Sequence, residues 1–212
     1  MTKAEFLAKM EADESWAPGW EAIDGVFRAL YPGQKPFHYA AVSRAVFGGK
    51  DFLDGCSIYP SPKGYFHLVT YGMSELYAEP EALGGEWSKW GYEMTMKLRG
   101  EKPEDCLWAL DLLNNLARYT FTQKRFFEPW QFVDGRGAPI RTGTDTALTS
   151  LIIVPDTEAQ GLDTLYGRLE FLQLVGITQS ELSRLSTREE VRALAEQLRQ
   201  AEPWLVTDLN RR

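Results

Sequence analysis

Tyr65-Phe66-His67-Leu68-Val69-Thr70-Tyr71 is the stretch that decides the fold. It is apolar or aromatic at odd and even positions alike, and a strand of that kind needs cover on both faces. It is therefore expected inside a sheet that has layers on either side. Residues 91–99 behave differently. Tyr92, Met94, Met96 and Leu98 alternate with Glu93, Thr95, Lys97 and Arg99, which predicts a strand with one buried and one wet face. Residues 56–59, 148–154 (closed by Pro155-Asp156) and 168–175 read as further strands, and a short extended piece covers residues 37–42.

Helices flank these strands. After Trp16-Ala17-Pro18-Gly19, the residues Trp20, Ile23, Phe27 and Leu30 recur at spacings of three and four until Tyr31-Pro32-Gly33 ends the run. Proline is tolerated in a first turn, where its missing N–H is no loss. Residues 105–121 form the strongest helical stretch, with Trp108, Ala109, Leu112, Leu113, Leu116 and Tyr119 on one broad face. Thr178 with Glu181, and Thr187 with Glu190, have capping-box spacing, and Val191, Leu194 and Leu198 give the last helix its stripe. Residues 203–207 read as a closing strand, and residues 124–139, aromatic and rich in turn formers, receive no assignment. Strands clustered between helices without regular βαβ alternation predict an α+β fold. The expectation is one domain over residues 16–212, a mixed β-sheet flanked by α-helices, with residues 1–15 as an N-terminal extension.

Composition narrows the function. With 212 residues, 44% of them apolar, the chain can bury roughly 70% of the surface it exposes when unfolded, so it needs no disulfide or metal staple. A net charge of −7 argues against nucleic acid as a partner, because phosphate binding calls for a basic surface. Cys56 and Cys106 form no CxxC pair and are expected as reduced core thiols. No run approaches the ~20 apolar residues of a membrane span and no secretion signal opens the sequence; a cytoplasmic location is expected.

A search for chemistry yields little. His38, Cys56, His67 and Cys106 are the only soft ligands, and their spacing fits no zinc pattern, so neither a metal nor a cofactor is expected. Ser57 or Ser74 could be placed beside His67 and Asp54 as a hydrolase, yet no GxSxG elbow supports either serine. Asp54-Gly55 reads as a turn and Ser74 as the cap of residues 74–77. His67, in mid-strand, reads as a packed, hydrogen-bonded core histidine. Gly48-Gly49-Lys50 lacks the P-loop frame. Thr142, Thr144 and Asp145 read as a side-chain-stabilised turn. The carboxylates Asp134, Asp145, Glu79 and Glu81 read as solvated surface. No enzyme reading keeps named roles.

Several segments taken in order resemble the suppressor of fused family: Leu30-Tyr31-Pro32; Gly48-Gly49 with Asp51 and Leu53-Asp54; Thr70-Tyr71-Gly72-Met73-Ser74-Glu75-Leu76-Tyr77; Gly91-Tyr92-Glu93-Met94-Thr95; Leu116-Ala117-Arg118-Tyr119; Thr164, Gly167 and Phe171-Leu172-Gln173-Leu174-Val175-Gly176; Pro203-Trp204-Leu205-Val206-Thr207-Asp208. The resemblance implies a mixed sheet flanked by helices and a non-enzymatic binding role. In animals the family sequesters Gli-type transcription factors, gripping an extended peptide by strand addition between this domain and a second, C-terminal one. Arg212 ends this sequence, so the second half of that clasp is expected to be lacking. Tyr119 corresponds to the tyrosine that lines the family's peptide site. The acidic residue that accompanies it is not evident, and Trp130 stands near its expected position.

The resemblance thus implies a protein partner contacted through Tyr119, Arg118, Trp130 and Phe127. Single-domain members resemble immunity proteins that neutralise toxins by stoichiometric occlusion, and an acidic domain would speed its encounter with a basic toxin. The rival readings are a peptide-binding adaptor or chaperone-like protein acting by strand addition, and a hydrolase using His67. Helical periodicity alone would place Tyr119 in the core. Phe126, Phe127, Trp130 and Phe132 would form an interface hot spot if exposed, and a flap over the core if not.

Overall fold

A computed structural model, which describes residues 1–212 apart from the Val46 side chain, places eight strands and five helices in chain order. They are α1 (Lys3–Ala12), α2 (Pro18–Leu30), β1 (Phe37–Ala40), β2 (Gly55–Ser61), β3 (Tyr65–Tyr71), β4 (Trp87–Leu98), α3 (Trp108–Gln123), β5 (Phe132–Asp134), β6 (Leu148–Pro155), β7 (Leu162–Thr164), β8 (Gly167–Thr178), α4 (Gln179–Leu182) and α5 (Arg188–Ala201). The strands make one mixed sheet in the order β1-β2-β3-β4-β8-β6-β5, with β7 added alongside β8. The β4–β8 pair is parallel and the other pairs are antiparallel.

Both faces of this sheet are covered. On one, Ile58, Leu68, Met94, Met96, Leu172 and Ile153 pack against Ala109, Leu113, Leu116 and Ala117 of α3. On the other, Tyr59, Val69, Tyr71 and Phe171 lie beneath Ile23 and Phe27 of α2 and Tyr31 just beyond it. Farther along that face, Ile152, Val154, Val175 and Ile177 lie beneath Leu182, Val191, Leu194 and Ala195 of α4 and α5. β3, between β2 and β4, is buried at all seven positions, as its aromatic run requires. The capping boxes at Thr178 and Thr187 form as their spacing predicts.

Three local expectations change. The polar positions of β4 are not wet: Glu93, Thr95 and Lys97 are fully buried, and only Arg99, just beyond the strand, reaches solvent. α2 and the segments around Asp156 and Trp204 close over that face, so these groups meet one another instead of water. Residues 203–207 contribute a single bridge rather than a strand. The β4–β8 pairing ends at Thr95 and Gln173. Beyond it the Thr207 N–H donates to the Lys97 carbonyl (2.7 Å), and Arg99 N–H donates to the Thr207 carbonyl (3.2 Å). Residues 1–15 contain α1, capped by Thr2 with Glu5. Its one buried side chain, Phe6, meets Trp16 at 4.9 Å and Tyr166 at 6.2 Å between ring centroids. A single buried residue leaves no stripe for periodicity to detect.

No helix among the described residues is long and apolar enough to cross a membrane. Cys56 and Cys106 are buried, unpaired thiols.

Candidate functional site

α3 ends at Gln123 because Lys124 turns left-handed (φ 54°), which stops the helix and sends the chain back across the sheet. Phe127 is fixed from beneath: its N–H donates to the Tyr92 hydroxyl (3.4 Å), which also pairs with Thr120 Oγ1 (3.0 Å). Burial pushes the Tyr92 phenol up to about 12. From above, the Tyr119 ring stacks on Phe127 at 5.8 Å and 23°. Trp130 follows with φ 68°. Its N–H donates to the Ile153 carbonyl (2.7 Å), and Ile153 N–H donates to the Gln131 carbonyl (2.9 Å). The loop is thereby stitched to β6 and runs into β5.

The result is an aromatic surface beside a sheet edge. Tyr119 is 41% exposed and Phe126 56%. They line a depression of about 400 Å³ with Phe127, Trp130, Phe132 and Arg125. A second depression, of about 370 Å³, lies across Phe126 and Phe127 and is walled by Trp87, Trp90 and Leu172. β5 is the last strand of the sheet on this side, and Phe132 and Asp134 in it are exposed. Two-residue alternation from the Gln131–Ile153 bond turns the Val133 backbone toward β6, and the Phe132 and Asp134 N–H and C=O groups outward.

Of the four residues singled out from the sequence, the structure brings Tyr119, Phe127 and Trp130 together. Arg118 is exposed one residue before Tyr119, outside the depression, and has no carboxylate partner among the described residues. Sequence reasoning missed the contribution of α5. Arg188 pairs with Glu128 and the Arg192 guanidinium lies 4.8 Å from the centre of the Trp130 ring, fastening the loop from a segment sixty residues away.

The residues once eligible for hydrolysis serve elsewhere. His67 is buried, its Nε2 3.0 Å from Asp156 Oδ2 and its Nδ1 2.8 Å from the Tyr31 hydroxyl. Ser74 donates from Oγ (2.6 Å) and N (2.9 Å) to Glu93, which also accepts from Thr70 Oγ1 (2.6 Å) and Gly72 N (3.0 Å). Ser74 therefore clasps a buried carboxylate and caps no helix. Burial pushes the Glu93 carboxyl up, and these four donors offset part of that. Asp54 pairs with Arg44 and accepts from Tyr77 OH (2.9 Å), while Ser57 pairs with His38. The triads drawn from the sequence are not formed.

Asp156 is the centre of the second buried network. It meets His67, Lys97 Nζ (3.1 Å), Thr95 Oγ1 and the N–H groups of Glu158 (2.8 Å) and Ala159 (2.9 Å). Burial alone would raise the Asp156 carboxyl, but the His67 ring and the Lys97 ammonium outweigh it and hold the group far below the usual carboxylate range. Lys97 also meets Glu158 (3.2 Å) and Gln173 (3.3 Å). Gln173 in turn donates to the Trp204 and Leu205 carbonyls. No group of three or more His, Cys, Asp or Glu among the described residues could hold a metal ion.

The model of the suppressor of fused protein family matches residues 49–212, and the chain belongs to that family. The suppressor of fused homologues of Homo sapiens and Mus musculus are each 31% identical over 211 residues, which is 91% of this chain and 43% of each relative. The chain thus spans less than half the length of the curated relatives it matches. A crystal structure of a Sufu–Fu complex superposes with a TM-score of 0.78 at 26% identity, over 92% of this chain and 91% of that one. Drosophila Suppressor of Fused gives 0.78 at 25% identity, over 92% and 51%. A homologue from Neisseria gonorrhoeae shares the fold, with a TM-score of 0.56 at 16% identity over 92% and 95%.

Proposed function

We propose that this chain binds another protein and receives an extended segment of that partner as an added strand along β5. The observation that carries this reading is the outward-facing edge at Phe132 and Asp134, next to the exposed Tyr119–Phe127 stack. Backbone groups on such an edge supply affinity, and neighbouring aromatic depressions supply specificity for the partner's side chains. Toxin neutralisation is the second reading. It was tied to an acidic surface steering a basic partner, and the chain-wide charge of −7 is its support. The segment that carries Tyr119 does not share that charge: residues 112–143 hold five basic side chains and two acidic ones.

The test is affinity capture from the source cell with the native chain, with Asp134→Pro, which removes one outward N–H, and with Tyr119→Ala. A partner held by the native chain and lost from both variants supports docking at β5. One that both variants retain binds elsewhere. Rescue of cells on co-expression with a captured toxin would favour the second reading.

A further inference from the structure

We infer that the segment received along β5 is acidic, so that this face selects partners carrying aspartate or glutamate beside their strand-forming residues. This rests on the strand-addition reading. The two carboxylates that line the depressions are already engaged, Glu128 with Arg188 and Glu170 with Arg168 (2.6 Å). Of the cations that line them, Arg188 is taken by Glu128 and Lys89 donates to the Gly72 carbonyl (2.7 Å), but four others on this face have no carboxylate. Arg125 lines the first depression, Arg192 lies over Trp130, Lys124 sits 5.7 Å from the centre of the Trp90 ring in the wall of the second, and Arg118 precedes Tyr119. None of these four has a carboxylate within ion-pair distance among the described residues.

In a chain of net charge −7, these four unpaired cations gather at an edge where aromatic depressions wait for side chains. Two of the cations are preorganised over indole rings, so little freedom is lost when they meet an acceptor. Asp134 is the opposing charge on β5, and Glu189 and Glu196 flank Arg192 on α5 at spacings of three and four. Asp134 stands at the far end of β5, where its side chain accepts from the Arg136 N–H (2.7 Å).

The inference is tested by fluorescence anisotropy on the native chain, using labelled peptides of roughly eight residues, about one strand long, built on a common β-branched and aromatic frame. One set carries aspartate and glutamate, one serine and one lysine; a short oligothymidylate is the fourth probe. With two or three partly exposed ion pairs formed, the acidic set should bind about tenfold tighter than the serine set. That advantage should fall as salt is raised from ~0.1 to ~1 M and vanish in Arg125→Glu/Arg192→Glu, but not in Arg28→Glu, an exposed arginine of α2 outside both depressions. Circular dichroism of each variant checks that it is folded. Equal binding of acidic and serine peptides, both lost in Asp134→Pro, overturns the charge inference and leaves strand addition standing. Preference for the lysine set, or for the oligothymidylate, overturns it as well. Failure of every peptide removes strand addition and the inference together.

Discussion

Asp156→Asn tests whether the buried charges hold the sheet together. The native carboxylate accepts from Lys97, Thr95, His67 and two backbone N–H groups. The amide keeps one acceptor oxygen and turns an NH₂ toward donors. Breaking one partner of a buried ion pair costs about 3–5 kcal/mol, because the remaining charge stays buried without compensation. Here the retained oxygen softens the loss, so about 3 kcal/mol is expected at pH 7. Lys97→Met should cost less, about 1–2 kcal/mol, since Asp156 keeps its other donors. The double variant should then be at least ~1 kcal/mol more stable than the two losses added. The sign with pH follows from the depressed carboxyl. Its stabilisation is present above the unfolded carboxylate pKa of about 4 and is lost as pH falls through the lower folded value. Urea titrations should therefore show the deficit of Asp156→Asn at its largest near pH 7, narrowing below about pH 4. A deficit under ~1 kcal/mol at pH 7, or one unchanged at pH 3, would refute a net contribution from this network.

Glu93→Ala strands four donors in the interior and should cost about 3 kcal/mol in the same titrations; a loss within ~0.5 kcal/mol would mean that the 70–74 turn holds without its carboxylate. Tyr119→Ala should weaken partner binding by about 2 kcal/mol or more while lowering stability by under ~1 kcal/mol, measured by calorimetric titration and by melting; the reverse ratio would make Tyr119 a core residue. Cys56 and Cys106 are buried, and burial pushes the Cys106 thiol up to about 12, so a disulfide reagent at pH 8 should label neither until urea unfolds the chain.

Apolar periodicity made the layers legible. The two-faced aromatic run of β3 predicts cover on both sides, and the stripes of α2, α3 and α5 supply the cover. The polar positions of β4 misled for a definite reason. Alternation reports that two faces differ in polarity; it does not report that the polar one is wet. Lys97 is buried because register sets it opposite His67 on β3, and because the 156–158 turn, distant in sequence, brings two carboxylates to it. Register and long-range approach of that kind have no local signature. The Tyr119 face shows the same limit. Phe126, Phe127 and Trp130 are visible as an aromatic cluster, but Arg188, Arg192 and Trp87 reach it from other elements, and the β5 edge lies in a segment too short and turn-rich to assign.

The segments that carry the family likeness largely contact one another. Thr70, Gly72 and Ser74 hold Glu93 of the 91–95 segment, and Tyr77 holds Asp54. Gln173 and Gly176 bond Trp204, Leu205 and Thr207. Apart from the exposed Tyr77–Asp54 bond, substituting these residues disturbs a buried or half-buried hydrogen bond, and therefore the sheet, before it can alter a surface. Tyr119 differs in what it lines: it is a motif residue whose exposed ring borders a depression beside the sheet edge. Its surroundings, residues 124–136 with Arg188 and Arg192, lie outside the shared segments. A likeness that resides in the interior can pass on an architecture while leaving the edge at β5 open to a different partner. If the chain binds by strand addition along β5, as proposed above, the aromatic and unpaired cationic groups at that edge are a better guide to its partner than the partners of its relatives.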